Sequence, residues 1–313
     1  MHTSPPAGHM QSFINAPVCT DLDQLEADIA FLGVPYGIPY SLSEYQCHSG
    51  PSHVRQYSTR FGSSLQGGYN FDLDGDLPGG SKVRIVDCGD VPGDATDIPG
   101  TVDRARQTVA AILGRGAVPI VIGGTDAVPI PVVRAYEDHG PVTLIHIDEH
   151  LDFKDEIRGI REGYSSPIRR ISEMAWVEGI YQIGLHGMGS ALVSDVQEAL
   201  AAGNVLITEK EVHARGVQWV LDQVPDGRDY FISIDYDGFD VTCCPAVSHP
   251  EPGGLTYHEG VALLTGLAQK GRIAGMDWVE LVPEHDHFGL TARTTGRLIL
   301  STIHAMIQAG QIG

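Results

Sequence analysis

Two short runs of the chain put several carboxylates and an imidazole where a divalent cation could be held. The first is IHIDEHLD, ending in Asp148, Glu149, His150, Leu151 and Asp152. The second is ISIDYDGFD, ending in Asp235, Tyr236, Asp237, Gly238, Phe239 and Asp240. A third run, VIGGTDA, ends an apolar stretch with Asp126. One aspartate after a strand is an ordinary turn residue or helix cap. Several aimed at one place are different, because buried carboxylates repel one another and lose hydration. Divalent cations remove that cost. D-x-H-x-D with D-x-D offers oxygens and one imidazole, a set suited to hard or borderline metals such as manganese.

The elements that must position these groups read as alternating strands and helices. Short apolar, β-branched runs at 28–34, 83–88, 118–122, 142–147, 181–185, 205–208, 230–234 and 273–278 predict strands covered on both faces. Helical spacing predicts helices over 101–114 and 291–308. Thr256 and Glu259 form a capping box for another, with Gly271 beyond its end. The pattern predicts an α/β protein, a three-layer α/β/α arrangement on a parallel, mostly eight-stranded sheet. Such sheets bind ligands at the carboxyl ends of their strands, where the acidic runs fall. Residues 1–27 read as an N-terminal arm, loose over its first ten residues, and 28–313 as one domain. The stretch 62–81 reads as a long loop. Its Asp72, Asp74 and Asp76 resemble a fragment of a calcium loop or are solvated turn residues.

At this point a family resemblance becomes specific. DEHLD resembles the D-A-H-x-D motif of the ureohydrolases, the arginase and agmatinase family. SIDYDGFD is similar to their S-x-D-x-D-x-x-D-P, with Val241 in the proline position. HPEPGGLTYHEG at 249–260 resembles their T-P-x-x-G-G-L-x-x-x-E loop. GMDWVELVPEHDHFGLTA at 275–292 resembles the closing G-x-D-x-x-E-x-x-P segment of agmatinase-like members. FLGVPYG, GPSHVRQYS and DCGDV also fall in the family's order. The resemblance spans about residues 28–308.

It implies an arginase-like fold and a binuclear metal-dependent amidinohydrolase. Such an enzyme cleaves a C–N bond of a guanidino compound with a metal-bridging hydroxide. The substrate would be of the agmatine, guanidinobutyrate or guanidine type. Carried over residue by residue, Asp148 and Asp235 would bridge two divalent ions. Asp152 would complete the first site, with Asp126 in the place of the family's first ligand. His150 and Asp237 would complete the second. Asp152 would also pass the proton to the leaving amine, and Glu280 would bind the guanidinium. Manganese is the implied metal, with nickel as the alternative.

Three positions differ from the family. Asp126 stands where the family's G-G-D-H-S has histidine; it could bind as a carboxylate or leave the site loose. Glu149 replaces a small residue. Tyr164, in YSSPIRR, stands where the family's H-G-x-P loop has a proton-shuttling histidine, and an ordinary tyrosine holds its proton at neutral pH. His249 could replace that shuttle, supply a ligand or be structural. Cys243 and Cys244 could favour a softer metal or simply pack. His146 and His287 read as structural, His146 as a satisfied core residue. The segment 154–163, in the family's specificity region, mixes acids and bases and selects no substrate.

These changes leave a second reading: a noncatalytic or partner-dependent subunit of a hetero-oligomeric ureohydrolase, such as a nickel-dependent metformin hydrolase. By the same resemblance the chain would form a homo-oligomer, trimer or hexamer, or a hetero-oligomer with a paralogue.

Composition bounds the partners. The 313 residues carry 20 basic and 40 acidic side chains, a formal net charge of −20. Such a surface repels nucleic acid and anionic membranes. No apolar run approaches the ~20 residues of a membrane span. Five cysteines without metal or redox spacing read as free thiols, as in a cytoplasmic protein.

Overall fold

The computed structural model describes residues 1–4, 11–37, 40, 46–63, 68–76, 82–94 and 97–313. Ten strands occur among them: β1 (Ile29–Val34), β2 (Tyr69–Asn70), β3 (Gly75–Asp76), β4 (Ile85–Asp90), β5 (Val118–Gly123), β6 (Val142–Ile147), β7 (Val177–Leu185), β8 (Val205–Thr208), β9 (Asp229–Asp235) and β10 (Arg272–Val279). Eight form one sheet in the order β4-β1-β5-β10-β9-β6-β7-β8, and every pairing in it is parallel. A parallel ladder needs crossovers, and these are helical.

Successive residues on a strand face opposite ways, so each strand feeds two cores. Ile145, Ile147, Ile232, Ile234 and Trp278 join one core, beneath α1 (Gly50–Ser58), α6 (Glu209–Arg215), α7 (Val217–Gln223), α8 (Tyr257–Lys270) and α9 (Leu290–Gln308). Leu144, Ile180, Phe231 and Val279 join the other, beneath α2 (Ile98–Gly114), α3 (Pro129–Arg134), α4 (Pro167–Ser172) and α5 (Val193–Ala201). This is the expected three-layer α/β/α architecture with an eight-stranded parallel sheet.

Local chemistry sets the element ends. Thr256 and Glu259 cap α8 reciprocally, and Gly271 ends it. α2 begins at Ile98, three residues before the expected start. Asp97 accepts the Gly100 N–H there, and Pro99 fits a first turn that lacks intrahelical acceptors. β4 lies two residues further along than expected. β7 starts four residues earlier, because Glu178 and Gly179 interrupt its apolar run, while its ladder with β6 continues across a register shift at Glu178.

The N-terminal segment is tied to the sheet. Phe13 is fully buried and stacks on Phe31 at 4.2 Å between centroids. Ser4 bridges Asp90 and Val18 bridges Asp87, both on β4. Residues 5–10 of the expected arm, and 64–67 and 77–81 of the expected loop, lie outside the described residues. Within that loop β2 and β3 form a small antiparallel hairpin. Asp72 there accepts from Tyr257 Oη at 2.6 Å and pairs with Arg297 at 2.5 Å, so its carboxylate is engaged by the protein itself.

Arg55 on α1 joins two of the sequence motifs. Its buried guanidinium forks onto Asp87, with Nε to Oδ2 at 2.8 Å and Nη2 to Oδ1 at 3.0 Å. Its Nη1 reaches Asp90 Oδ1 at 2.6 Å. GPSHVRQYS and DCGDV therefore meet as one buried ionic fork.

Candidate metal centre

Four adjacent strands, β5, β10, β9 and β6, end side by side, and each ends in or is followed by candidate side chains: Asp126, Glu280, Asp235 with Asp237, and Asp148 with His150 and Asp152. Backbone amides weave the ends together. Asp235 Oδ1 accepts the Asp237 N–H at 3.0 Å, and Asp237 Oδ1 accepts the Glu149 N–H at 3.2 Å. Gly238 permits this approach, since a Cβ there would lie 2.6 Å from the Asp148 nitrogen.

Donor atoms gather in two groups. Asp126, His146, Asp148 and Asp152 each offer one ligand atom within 4.8 Å of the others, and so do Asp148, His150 and Asp237. Asp148, with no exposed surface, belongs to both. His150 Nδ1 lies 3.2 Å from Asp237 Oδ2 and 3.4 Å from Asp148 Oδ1. Both carboxylate oxygens of Asp126, Oδ2 of Asp148 and Nε2 of His146 are buried with no hydrogen-bond partner. Orphaned buried oxygens of this kind are costly unless a cation or ordered water meets them. The donor set, mostly carboxylate with one or two imidazoles, fits a divalent metal.

The electrostatics agree. Burial, reinforced by neighbouring carboxylates, pushes Asp126, Asp152, Asp235 and Asp237 above the usual carboxylate range. Burial also pushes Asp148 up, but His146 and His150 outweigh it and hold its carboxyl well below that range. For His150 burial pulls down, while Asp148 and Asp237 prevail and hold the imidazole well above its ordinary value. The protein alone thus keeps several carboxyls costly to ionise in one place, which a bound cation would relieve.

Glu280 follows the end of β10 with a left-handed backbone, φ 70°. Its Oε1 accepts the Asp126 N–H at 2.9 Å, and its Oε2 accepts the Cys47 thiol at 3.1 Å. Burial raises its carboxyl to about 7, against the lowering effect of those two donors. Asp152 also holds a positive φ, 46°. Strained backbones of this kind gather at functional sites.

Other sequence candidates fall outside the two groups. Asp235 is buried, and its carboxylate accepts from Asp237. Tyr164 is half-buried, its ring tilted against Tyr40 at 4.4 Å. His249 is exposed. Glu149 is buried and faces His186, with Oε2 3.8 Å from Nε2. Cys243 and Cys244 lie in the hydrophobic core, where the Cys243 thiol donates to the Asp240 carbonyl.

The structure adds a neighbour to the sequence reading of His146 as a core residue. The ring is fully buried, and its Nε2 lies among the donor atoms of the first group, 3.0 Å from Asp148 Oδ2. The signal was its position two residues before Asp148, hence on the same strand face. Cys47, also missed, gave no sequence signal, since it lies 233 residues from Glu280.

Residues 27–305 match the Arginase family. The chain is 29% identical over 303 residues to the mitochondrial agmatinase of Gallus gallus, covering 93% of this chain and 84% of that protein. It is 29% identical over 287 residues to the guanidinobutyrase of Pseudomonas aeruginosa, covering 89% and 86%. The proclavaminate amidino hydrolase structure from Streptomyces clavuligerus superposes with a TM-score of 0.83 at 25% identity, covering 98% of this chain and 100% of that one. With the family match extending over nearly the whole chain and the acidic groups standing at the ends of its parallel strands, the protein belongs to the arginase family and is an agmatinase-like ureohydrolase.

Proposed function

We propose that the chain hydrolyses a guanidino compound at a binuclear divalent-metal centre, with manganese as the occupant and nickel as the alternative. The observation that carries the reading is Asp148, a buried carboxylate common to two groups of donors. Asp126, Asp148 and Asp152 would hold one ion, and Asp148, His150 and Asp237 the other, with Asp235 as the second bridging carboxylate of the sequence reading. Bound there, the ions would lower the pKa of water and offset the carboxylate charge. Asp152 receives the proton of the attacking water and returns it to the leaving amine. Glu280 receives the guanidinium, and C–N cleavage then yields urea and an amine when the substrate is an N-alkylguanidine.

One observation favours the second reading, a partner-dependent subunit. Both Glu280 oxygens are already engaged, by Asp126 N–H and by Cys47. Elemental analysis of the purified protein, with urea or amine release from a panel of guanidino compounds, separates the two. About two ions per chain with turnover supports the hydrolase. One ion or none, without turnover after metal loading, supports the partner-dependent subunit. Light scattering on the same sample reads the proposed trimer or hexamer.

A further inference from the structure

His146, on β6, stands in register with Gln182 on β7 and Ser233 on β9. Gln182 has no exposed surface. Its Nε2 donates to the Leu151 carbonyl at 2.8 Å, and its Oε1 accepts from Asn204 Nδ2 at 3.0 Å. A carbonyl only accepts, so the end of the Gln182 amide facing Leu151 is the NH2. The same nitrogen lies 3.4 Å from His146 Nδ1. An amide NH2 cannot accept, so Nδ1 keeps its lone pair and the ring proton sits on Nε2. That Nε2 lies 3.0 Å from Asp148 Oδ2, a close polar contact whose angle falls short of a hydrogen bond, and neither atom has a hydrogen-bond partner.

We infer that His146 is a positioning residue rather than a metal ligand. The buried Asn204–Gln182 pair locks it as the Nε2–H tautomer, so that the positive edge of the ring faces Asp148 Oδ2 and orients it electrostatically. The inference deepens the metal-centre reading and rests on it for its consequence: the first group becomes a set of three carboxylates, Asp126, Asp148 and Asp152, without an imidazole. Its four-membered grouping suggests instead that His146 supplies the ring absent at position 126. That role needs a bare Nε2 and hence a proton on Nδ1, which would point at the Gln182 NH2. Turning the amide over would set its carbonyl against the Leu151 carbonyl. A carboxylate that binds metal gains orientation from a fixed donor behind it, which is the task this geometry gives His146. An all-oxygen site favours manganese over nickel.

The test is the histidine tautomer itself, read by long-range 1H–15N NMR on 15N-histidine-labelled full chain, stripped by chelator and then loaded with zinc. Loss of one set of signals in His146→Gln assigns the ring. The expected result is protonated Nε2 and bare Nδ1 in both samples. Protonated Nδ1 in the stripped sample, or loss of the Nε2 proton on zinc loading, would overturn the inference. If zinc does not bind, the metal reading fails, and the stripped sample alone decides the tautomer. Competition between manganese and nickel gives a second measure. Gln182→Glu offers an acceptor to Nδ1, reverses the tautomer, and should shift the affinity ratio about tenfold toward nickel. Gln182→Met offers no acceptor and should shift it little. Equal shifts in both variants would reduce Gln182 to packing and overturn the lock.

Discussion

The Cys47 thiol donates to Glu280 Oε2 at 3.1 Å, although the two residues lie 233 apart in the chain. The pair puts a weak donor on the carboxylate proposed to receive the guanidinium. Burial raises Glu280 to about 7, and the thiol opposes that rise. Turnover that needs ionised Glu280 therefore increases as pH climbs through the value set by these contacts. Cys47→Ala removes an opposing donor. It should move the acid limb of kcat/KM upward by about half a unit to one unit. A pH profile of wild type and variant checks the sign; a downward shift would refute it.

Because Asp148 serves both donor groups and His150 only one, their losses should differ. Asp148→Ala should leave less than one metal per chain, and His150→Ala about one. Plasma mass spectrometry after exhaustive dialysis reads the numbers. Equal occupancy in the two variants would contradict a shared carboxylate.

Asp277 lies in β10 with no exposed surface. Burial raises its carboxyl to about 7, while Ser233, donating from β9 at 2.8 Å, pulls the other way. The folded state thus holds this proton more tightly than the unfolded chain does. That stabilisation is complete below the ordinary value of 3.8 and is lost as pH rises to about 7. Asp277→Asn cannot titrate. Urea unfolding of chelated protein between pH 5 and 8 should show wild type losing on the order of 3 kcal/mol relative to the variant. Parallel profiles would mean that Asp277 is ionised throughout.

Arg55 is the buried cation facing Asp87 and Asp90. Arg55→Met leaves those carboxylates without it, and breaking a buried pair in this way costs roughly 3–5 kcal/mol. The loss should appear in urea midpoints with metal content unchanged. A cost below about 1 kcal/mol would show that water replaces the guanidinium.

Glu280 holds a left-handed backbone one residue past the end of β10. Glu280→Gly removes that strain and a buried acid together. It should raise stability by about 1–2 kcal/mol while abolishing turnover. A destabilised variant would mean that the hydrogen bonds from Asp126 and Cys47 outweigh the strain.

Much of this was legible in the chain. Strands buried on both faces read as continuous apolar runs, so the sheet emerged from 118–122, 142–147 and 230–234 with little error. The acidic groups followed, since carboxylates after such runs must lie at strand ends. Strand order is not written in the sequence, and everything that depends on it was hidden. His146 inside an apolar run reads as core until Gln182 is known to stand beside it. The Arg55 fork was visible as two motifs and not as one contact. β7 was shortened because Glu178 looks like a loop residue, though its side chain pairs with Arg228 beside the strand.

The Ser4 and Val18 bridges have a bearing on how the protein behaves in crowded solution. β4 is the outermost strand on one side of the sheet, and an unguarded margin there would present peptide groups to any extended chain it met. The N-terminal segment occupies part of that margin with its own backbone. A chain shortened past Val18 should therefore betray itself first by self-association under conditions where the intact protein stays dispersed.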